Sequence, residues 1–68
     1  MELLIIKSGN EYVRIKEDAD LLVGLDKASV FPLERLETVQ AHIGKLRTRG
    51  FENLRIYKLK LSEEPFIQ

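Results

Sequence analysis

The stretch that decides the fold is PLERLETVQAHIGKLRTRGF, residues 32–51. Its large apolar residues recur every three or four positions, a spacing that places side chains on one face of an α-helix. They are Leu33, Leu36, Val39, Ile43 and Leu46. Pro32 suits the first helical position, where its missing N–H is no loss. We therefore predict one amphipathic helix over about residues 32–49, whose apolar face must be buried by the β-like segments around it.

The sequence also predicts where this helix ends. Lys45, Arg47 and Arg49 fall in the last turns, where positive charge complements the helix dipole. Gly50 suits the position after the C-cap, and Phe51 would then contact Leu46 across a Schellman-type end. Two independent signals predict that the helix stops at about residue 49.

Three segments before the helix have the character of strands. Residues 3–6 form an apolar run too short for a helix, which favours a central strand covered on both faces. Residues 12–16 alternate, with Val13 and Ile15 inward and Tyr12, Arg14 and Lys16 outward. Residues 8–10 therefore predict a hairpin turn. Residues 21–25 predict a third strand weakened by Gly24, and residues 26–31 a connector whose apolar side chains lie under the helix.

In the predicted last strand, about residues 53–61, the apolar residues switch from even to odd positions. Leu54 and Ile56 share one parity, whereas Tyr57, Leu59 and Leu61 share the other. Two interpretations stay open, a bulge near residues 57–58 or partial cover on both faces.

Connection rules assemble these elements into one α+β domain over residues 1–68. The helix packs on one face of a three-stranded meander, and the last strand returns parallel to the first in the sheet order 4-1-2-3. Residues 62–68 are expected to form a flexible tail.

Composition restricts the class of protein. The chain has 68 residues, 44% of them hydrophobic and 32% charged, which is typical of a single small globular domain. With no Cys and one His, disulfides and metal ions are poor supplements to a small core, so self-association is expected instead. The chain contains neither a membrane-length apolar run nor a signal peptide pattern, and we expect a cytoplasmic protein without membrane contact.

Formal net charge is zero, but its distribution is uneven. Residues 1–26 hold six acids and three bases, and residues 27–50 hold two acids and five bases. This charge dipole excludes the general attraction of a polycation for nucleic acid or an anionic membrane, although a local patch can still act.

No motif predicts catalysis. His42 lies at the border of the exposed helix face without a nucleophile or ligand partners in register, so we interpret it as a solvated side chain. The four glycines are isolated, which excludes a phosphate-binding loop, and the acidic turn at residues 17–20 lacks calcium-loop spacing. We expect no enzyme, no cofactor and no metal site.

A cluster of basic residues supports an alternative function, nucleic-acid binding. Its members are Lys45, Arg47, Arg49, Arg55, Lys58 and Lys60. Tyr12 and Tyr57 would add stacking platforms if they lie on the open sheet face. The competing interpretation is structural, because bases are expected at a helix C-terminus and lysines on an edge strand.

The leading hypothesis rests on a surplus of apolar residues over what one helix can cover. The candidate interface residues are Tyr57, Leu59, Leu61, Phe66 and Ile67. Either the C-terminal tail, folded back onto the sheet, or another protein chain would cover the remaining apolar surface. We therefore expect a non-enzymatic interaction module that uses its open sheet face or an edge strand to bind another protein or itself as a homodimer.

The layout also resembles small uncharacterised bacterial and prophage-type proteins. The resemblance lies in KASVF at residues 27–31, the helix ending Arg49-Gly50-Phe51, and the strand at residues 54–61 that runs into Glu63-Glu64. It implies a bacterial accessory protein, and it assigns no catalytic or binding residue.

Overall fold

The computed structural model describes residues 2–17, 19–62 and 65, and it shows one helix packed on a curled antiparallel sheet. The predicted tail therefore lies largely outside the described residues. The elements are β1 (Glu2–Ser8), β2 (Glu11–Ile15), β3 (Asp20–Val23), β4 (Val30–Pro32), α1 (Leu36–Thr48) and β5 (Leu54–Lys60). Two short 3-10 turns, Leu25–Lys27 and Leu33–Arg35, precede β4 and α1 respectively.

Strand β1 is the centre of the sheet. It pairs along its full length with β5 on one edge. On the other edge β4 pairs with residues 3–5 and β2 with residues 7–8. The prediction of a central first strand is confirmed, since every residue of β1 has a partner strand.

The sheet curls where β2 leaves β1. Beyond Tyr12, the partner of β2 is the segment that leads into β4: Ser29 N donates to Val13 O at 3.1 Å, and Ile15 N donates to Ser29 Oγ at 2.8 Å. Strand β4 then occupies the part of the β1 edge that β2 has left. Residues 28–30 therefore join β2 to β1 instead of lying as a loop under the helix.

The predicted direction of the last strand is wrong. Strand β5 runs antiparallel to β1, and the sheet order is β3-β2-β1-β4 with β5 also paired to β1. The cause is the strand at Val30–Pro32, which the sequence prediction treated as part of a connector. One additional strand before the helix reverses the chain once more, so the strand after the helix arrives in the opposite direction.

The core lies between α1 and one face of the sheet. Its buried residues are Leu4, Ile6, Val13, Val39, Ile43 and Leu46. The predicted inward positions of the second strand are confirmed, because Val13 is fully buried and Ile15 packs against the same cluster. The partly buried side chains of Phe31, Phe51, Leu54 and Ile56 complete the core.

The helix ends as predicted. Gly50 has φ of +92°, its N–H donates to Arg47 O at 3.2 Å, and Phe51 N–H donates to Leu46 O at 3.1 Å. This is the double hydrogen bond of a Schellman end, and it directs the Phe51 side chain into the core.

The predicted start of the helix is wrong. Pro32 is the last residue of β4 and pairs with Leu3, and a 3-10 turn separates it from α1. The φ of a proline suits the first turn of a helix and an extended strand equally well, so Pro32 alone does not distinguish them. In consequence Leu33 and Leu36 stay 39% and 43% exposed, and the buried part of the helical stripe is Val39, Ile43 and Leu46.

The last strand has no bulge. Its register with β1 is unbroken from Leu54 opposite Ser8 to Lys60 opposite Glu2. The switch from even to odd positions therefore places apolar side chains on both faces of the strand. Leu54 and Ile56 pack on the core, and Tyr57 and Leu59 lie on the other side. The third strand is also present, although it ends at Val23, before Gly24.

Truncation of two leucines on the same helix should have unequal effects. Leu46→Ala removes a fully buried side chain, and we expect a loss of about 2–5 kcal/mol in the free energy of unfolding. Leu36→Ala, the matched control, should cost less than about 1 kcal/mol because Leu36 is exposed. Urea unfolding followed by circular dichroism measures both, and equal losses would contradict the described packing of α1.

Replacement by alanine should have opposite effects on stability at two glycines, one inside α1 and one just after its end. Gly44→Ala fills open space in a helix interior and should stabilise the protein by about 0.5–1 kcal/mol. Gly50→Ala forces a side chain into the left-handed region and should destabilise it by about 1–2 kcal/mol. Thermal unfolding compares the two variants, and a stabilising Gly50→Ala would rule out the observed helix end.

Candidate binding site on the open face of the sheet

The register of the strands defines a second sheet face, turned away from α1, which we call the open face. Residues directly opposite each other in antiparallel strands share a face, and alternate residues along a strand do so too. Starting from Ile5, which lies opposite Val30 and Tyr57, these rules assign twelve side chains to the open face. They are Leu3, Ile5, Lys7, Tyr12, Arg14, Leu21, Val23, Val30, Pro32, Arg55, Tyr57 and Leu59.

The register also separates the charges of the strands. The acidic residues of the described strands are Glu2, Glu11 and Asp20. They pair with Lys60, Ser8 and Ile15, respectively, which places them on the helix side of the sheet. The register places Lys7, Arg14 and Arg55 on the open face. Among the described strand residues, the open face thus carries three cations and no acid.

Lys7 lies between two tyrosine rings at the centre of the three cations of the open face. Lys7 Nζ lies 5.1 Å from the centre of the Tyr12 ring and 4.9 Å from the centre of the Tyr57 ring. Tyr12 is directly opposite Lys7 on β2, whereas Tyr57 is diagonal to it on β5. Cation–π attraction of this kind favours these positions of the rings and of the ammonium group, by about 0.5–1 kcal/mol at an exposed site.

The rest of the open face is apolar and partly covers itself. Ile5 is only 2% exposed although it lies outside the helix-side core, because its neighbours Val30 and Tyr57 flank it across β1. Val30 and Tyr57 themselves stay exposed. The helix α1 lies on the opposite face, but the 3-10 turn Leu25–Lys27 lies against β2 on the open face, where Arg14 Nη1 donates to Lys27 O at 3.4 Å.

The candidate interface residues are only partly placed. Tyr57 and Leu59 lie on the open face, and Leu61, which follows β5, is exposed. Phe66 and Ile67 lie outside the described residues. Sequence reasoning expected Tyr12 and Arg14 to face outward, which the structure confirms. It missed Lys7 because the run before it was interpreted as covered on both sides, although the alternation from Ile5 was a usable signal.

The predicted basic cluster does not form one surface. Lys58 Nζ pairs with Glu2 Oε2 at 3.3 Å on the helix side of the sheet, and Arg49 pairs with Asp20 at the helix end. Lys45 and Arg49 line a cleft between α1 and the β2–β3 hairpin. Arg47 lines a different groove, between α1 and β5, and Arg55 borders the same groove at the edge strand although its position in the register is on the open face. Of the six cations, Arg55 is the one whose side chain starts next to the tyrosines.

The cleft between α1 and the β2–β3 hairpin contains the single histidine. It measures about 340 Å³ and is lined by Ile15, Lys16, Glu17, Asp20, His42, Lys45 and Arg49. The Asp20 carboxylate is already bound by Arg49, and the His42 ring lies 5.6 Å from that of Phe31. Its described lining includes no Ser, Thr or Cys that could act as a nucleophile. The arrangement fits an ion pair that ties the helix to the hairpin.

No three His, Asp or Glu side chains in residues 2–17, 19–62 and 65 are grouped closely enough to hold a metal ion. Within the same ranges, α1 is too short and too polar to cross a bilayer.

Comparison with family models, with curated proteins and with solved structures finds no match to this chain. The resemblance to prophage-type proteins therefore stays a prediction, and the arguments for function come from the geometry of the chain itself.

The ion pair between Arg49 and Asp20 should contribute to stability, because the Asp20 side chain is only 6% exposed. We expect Arg49→Met to lower the free energy of unfolding by about 1–2 kcal/mol. Lys45→Met, on the same helix and in the same cleft, should have little effect. In an Asp20→Asn background the loss caused by Arg49→Met should shrink, and a double-mutant cycle by urea unfolding measures this coupling. Additive losses would show that the pair contributes nothing.

Proposed function

We propose that the protein is a non-enzymatic binding module that contacts an anionic partner through its open face. The observation that carries the proposal is the charge separation by register, which leaves Lys7, Arg14 and Arg55 on a face without an acidic strand residue. Lys7 contacts the two tyrosine rings but forms no ion pair with a described residue, so its positive charge is not neutralised by an acid. Opposite charge across an interface supplies specificity and speeds association.

The apolar and aromatic part of the open face supports a binding role in a second way. Aromatic residues and arginine are enriched in the centres of interfaces, where charged acids are depleted. Tyr57 combines 47% exposure with a ring contact to the Lys7 ammonium, which favours one ring position. A side chain that is ordered before binding loses little entropy when a partner covers it.

The same charges disfavour a second copy of the chain as the partner on this face. A face-to-face dimer would bring three cations of one copy toward the same three of the other. Pairing through the β5 edge meets a similar obstacle, since Arg55, Lys58 and Lys60 are the charged residues of that strand. Like charges across an interface cost binding energy, and lysines on an edge strand are a common guard against strand pairing.

Immobilised heparin, used as a polyanion, tests the proposal. The protein has a formal net charge of zero, so retention at low salt requires a local patch and not the overall charge. We expect retention that weakens as salt is raised, and loss of retention in the double variant Lys7→Glu, Arg55→Glu.

The matched control changes the same number of charges on the helix side. Arg35→Glu with Lys45→Glu alters two exposed cations of the turn before α1 and of α1 itself, and it should keep most of the retention. An equal loss in both double variants, or no retention of the unaltered protein, would show that the open face is not the binding surface.

A further inference from the structure

We infer that the anionic partner is single-stranded nucleic acid, with bases stacked on Tyr12 and Tyr57 and phosphates bound by Lys7, Arg14 and Arg55. This inference deepens the proposed function and rests on it. It is supported by the two tyrosine rings, of which Tyr57 is exposed and Tyr12 half-buried, and by the cations beside them.

The two tyrosines form a platform that suits unpaired bases. Both start from the open face, on the strands that flank β1 on either side. The Lys7 ammonium lies over one face of each ring, so the ring centres lie at most about 10 Å apart, and a base would stack on the face turned away from Lys7. Each base has a flat π-surface, and stacking on aromatic side chains is how sequence-tolerant single-strand binders hold them.

The cations lie where a backbone between such bases would run. Lys7 is between the rings, Arg55 is directly opposite Lys7 on β5, and Arg14 is two residues from Tyr12 along β2. Arg14 is anchored at its far end by a 3.4 Å hydrogen bond from Nη1 to Lys27 O, which leaves its other N–H groups for a ligand. Three cations around two rings match the alternation of phosphates and bases in one strand.

The combination of aromatic rings with cations favours a single strand over a duplex or an acidic protein. A duplex keeps its base faces stacked inside, so it can use the cations of the open face but not the tyrosines. An acidic protein segment supplies carboxylates for the cations and no regular series of π-faces. Only an unpaired strand engages both kinds of side chain at once.

Binding can be observed with the protein's own fluorescence. The chain has no Trp, and both of its Tyr lie in the proposed site, so all of the tyrosine fluorescence comes from this site. Titration with oligothymidylate at low salt, corrected for absorption with tyrosine amide, should quench this emission. Heparin and polyglutamate, which lack bases, should leave it nearly unchanged even where they bind.

Affinity for fluorescein-labelled oligothymidylate, measured by anisotropy, tests the individual residues. Tyr57→Leu and Tyr12→Leu should each weaken binding by about 5- to 150-fold, the loss of one stacked base. Tyr57→Phe keeps the ring and should bind within about twofold of the unaltered protein. Contacts with three phosphates predict that log K falls with log salt at a slope of about −2, and Lys7→Gln should reduce that slope by about 0.7.

The outcomes separate this inference from the proposed function. If heparin retention depends on Lys7 and Arg55 but the leucine variants bind oligothymidylate normally, the nucleic-acid assignment is wrong and the open face remains an anion-binding surface. Equal affinity for polyglutamate and oligothymidylate would point to an acidic protein and also overturn it. Absence of binding to all three probes would overturn both proposals. Thermal unfolding of each leucine variant confirms that it is folded, and Arg14→Gln offers a test without altering either ring.

Discussion

The structure depends on one constraint, the pairing of β1 with other strands on both of its edges together with the burial of its central residues Leu4, Ile5 and Ile6. Strand β5 satisfies one edge along its full length, and β2 and β4 divide the other. Because backbone groups in a buried strand need partners, β4 has to be present where β2 curls away. Leu4 and Ile6 then define the side that α1 covers, while Ile5 defines the side that it does not.

The candidate site is a consequence of the same strand. Alternation with period two directs Lys7 to the side opposite Ile6, and the register sets Tyr12 and Arg55 beside it. A slip of one residue between β1 and β5 would exchange the faces of β5 and would bring Lys58 into the open face in place of Tyr57. The unbroken seven-residue ladder prevents such a slip, so the core and the charge separation are held by the same hydrogen bonds.

The helix contributes to the site indirectly. Its Schellman end at Gly50 and the ion pair from Arg49 to Asp20 attach the C-terminal end of α1 to the β2–β3 hairpin. Two of the six predicted basic residues are occupied by ion pairs on the helix side, Arg49 with Asp20 and Lys58 with Glu2. Positive charge that is balanced in this way stabilises the fold, whereas the unpaired Lys7 is available for binding.

The sequence by itself determined the features that depend on neighbouring residues. These are the helix and its end at Gly50, the central apolar strand, the first hairpin with Val13 inward, and the outward direction of Tyr12 and Arg14. Each follows from periodicity or from a residue with restricted backbone geometry, and both act over a few residues.

Only the tertiary structure decided the strand at Val30–Pro32, the antiparallel direction of β5, the exposure of Leu33 and Leu36, and the meeting of Lys7 with Tyr57. These depend on which edge of β1 is free and on register between residues about fifty positions apart, as in the pair of Lys7 and Arg55. Such pairing is set by hydrogen-bond satisfaction across the whole sheet, and no local pattern in a three-residue strand encodes it.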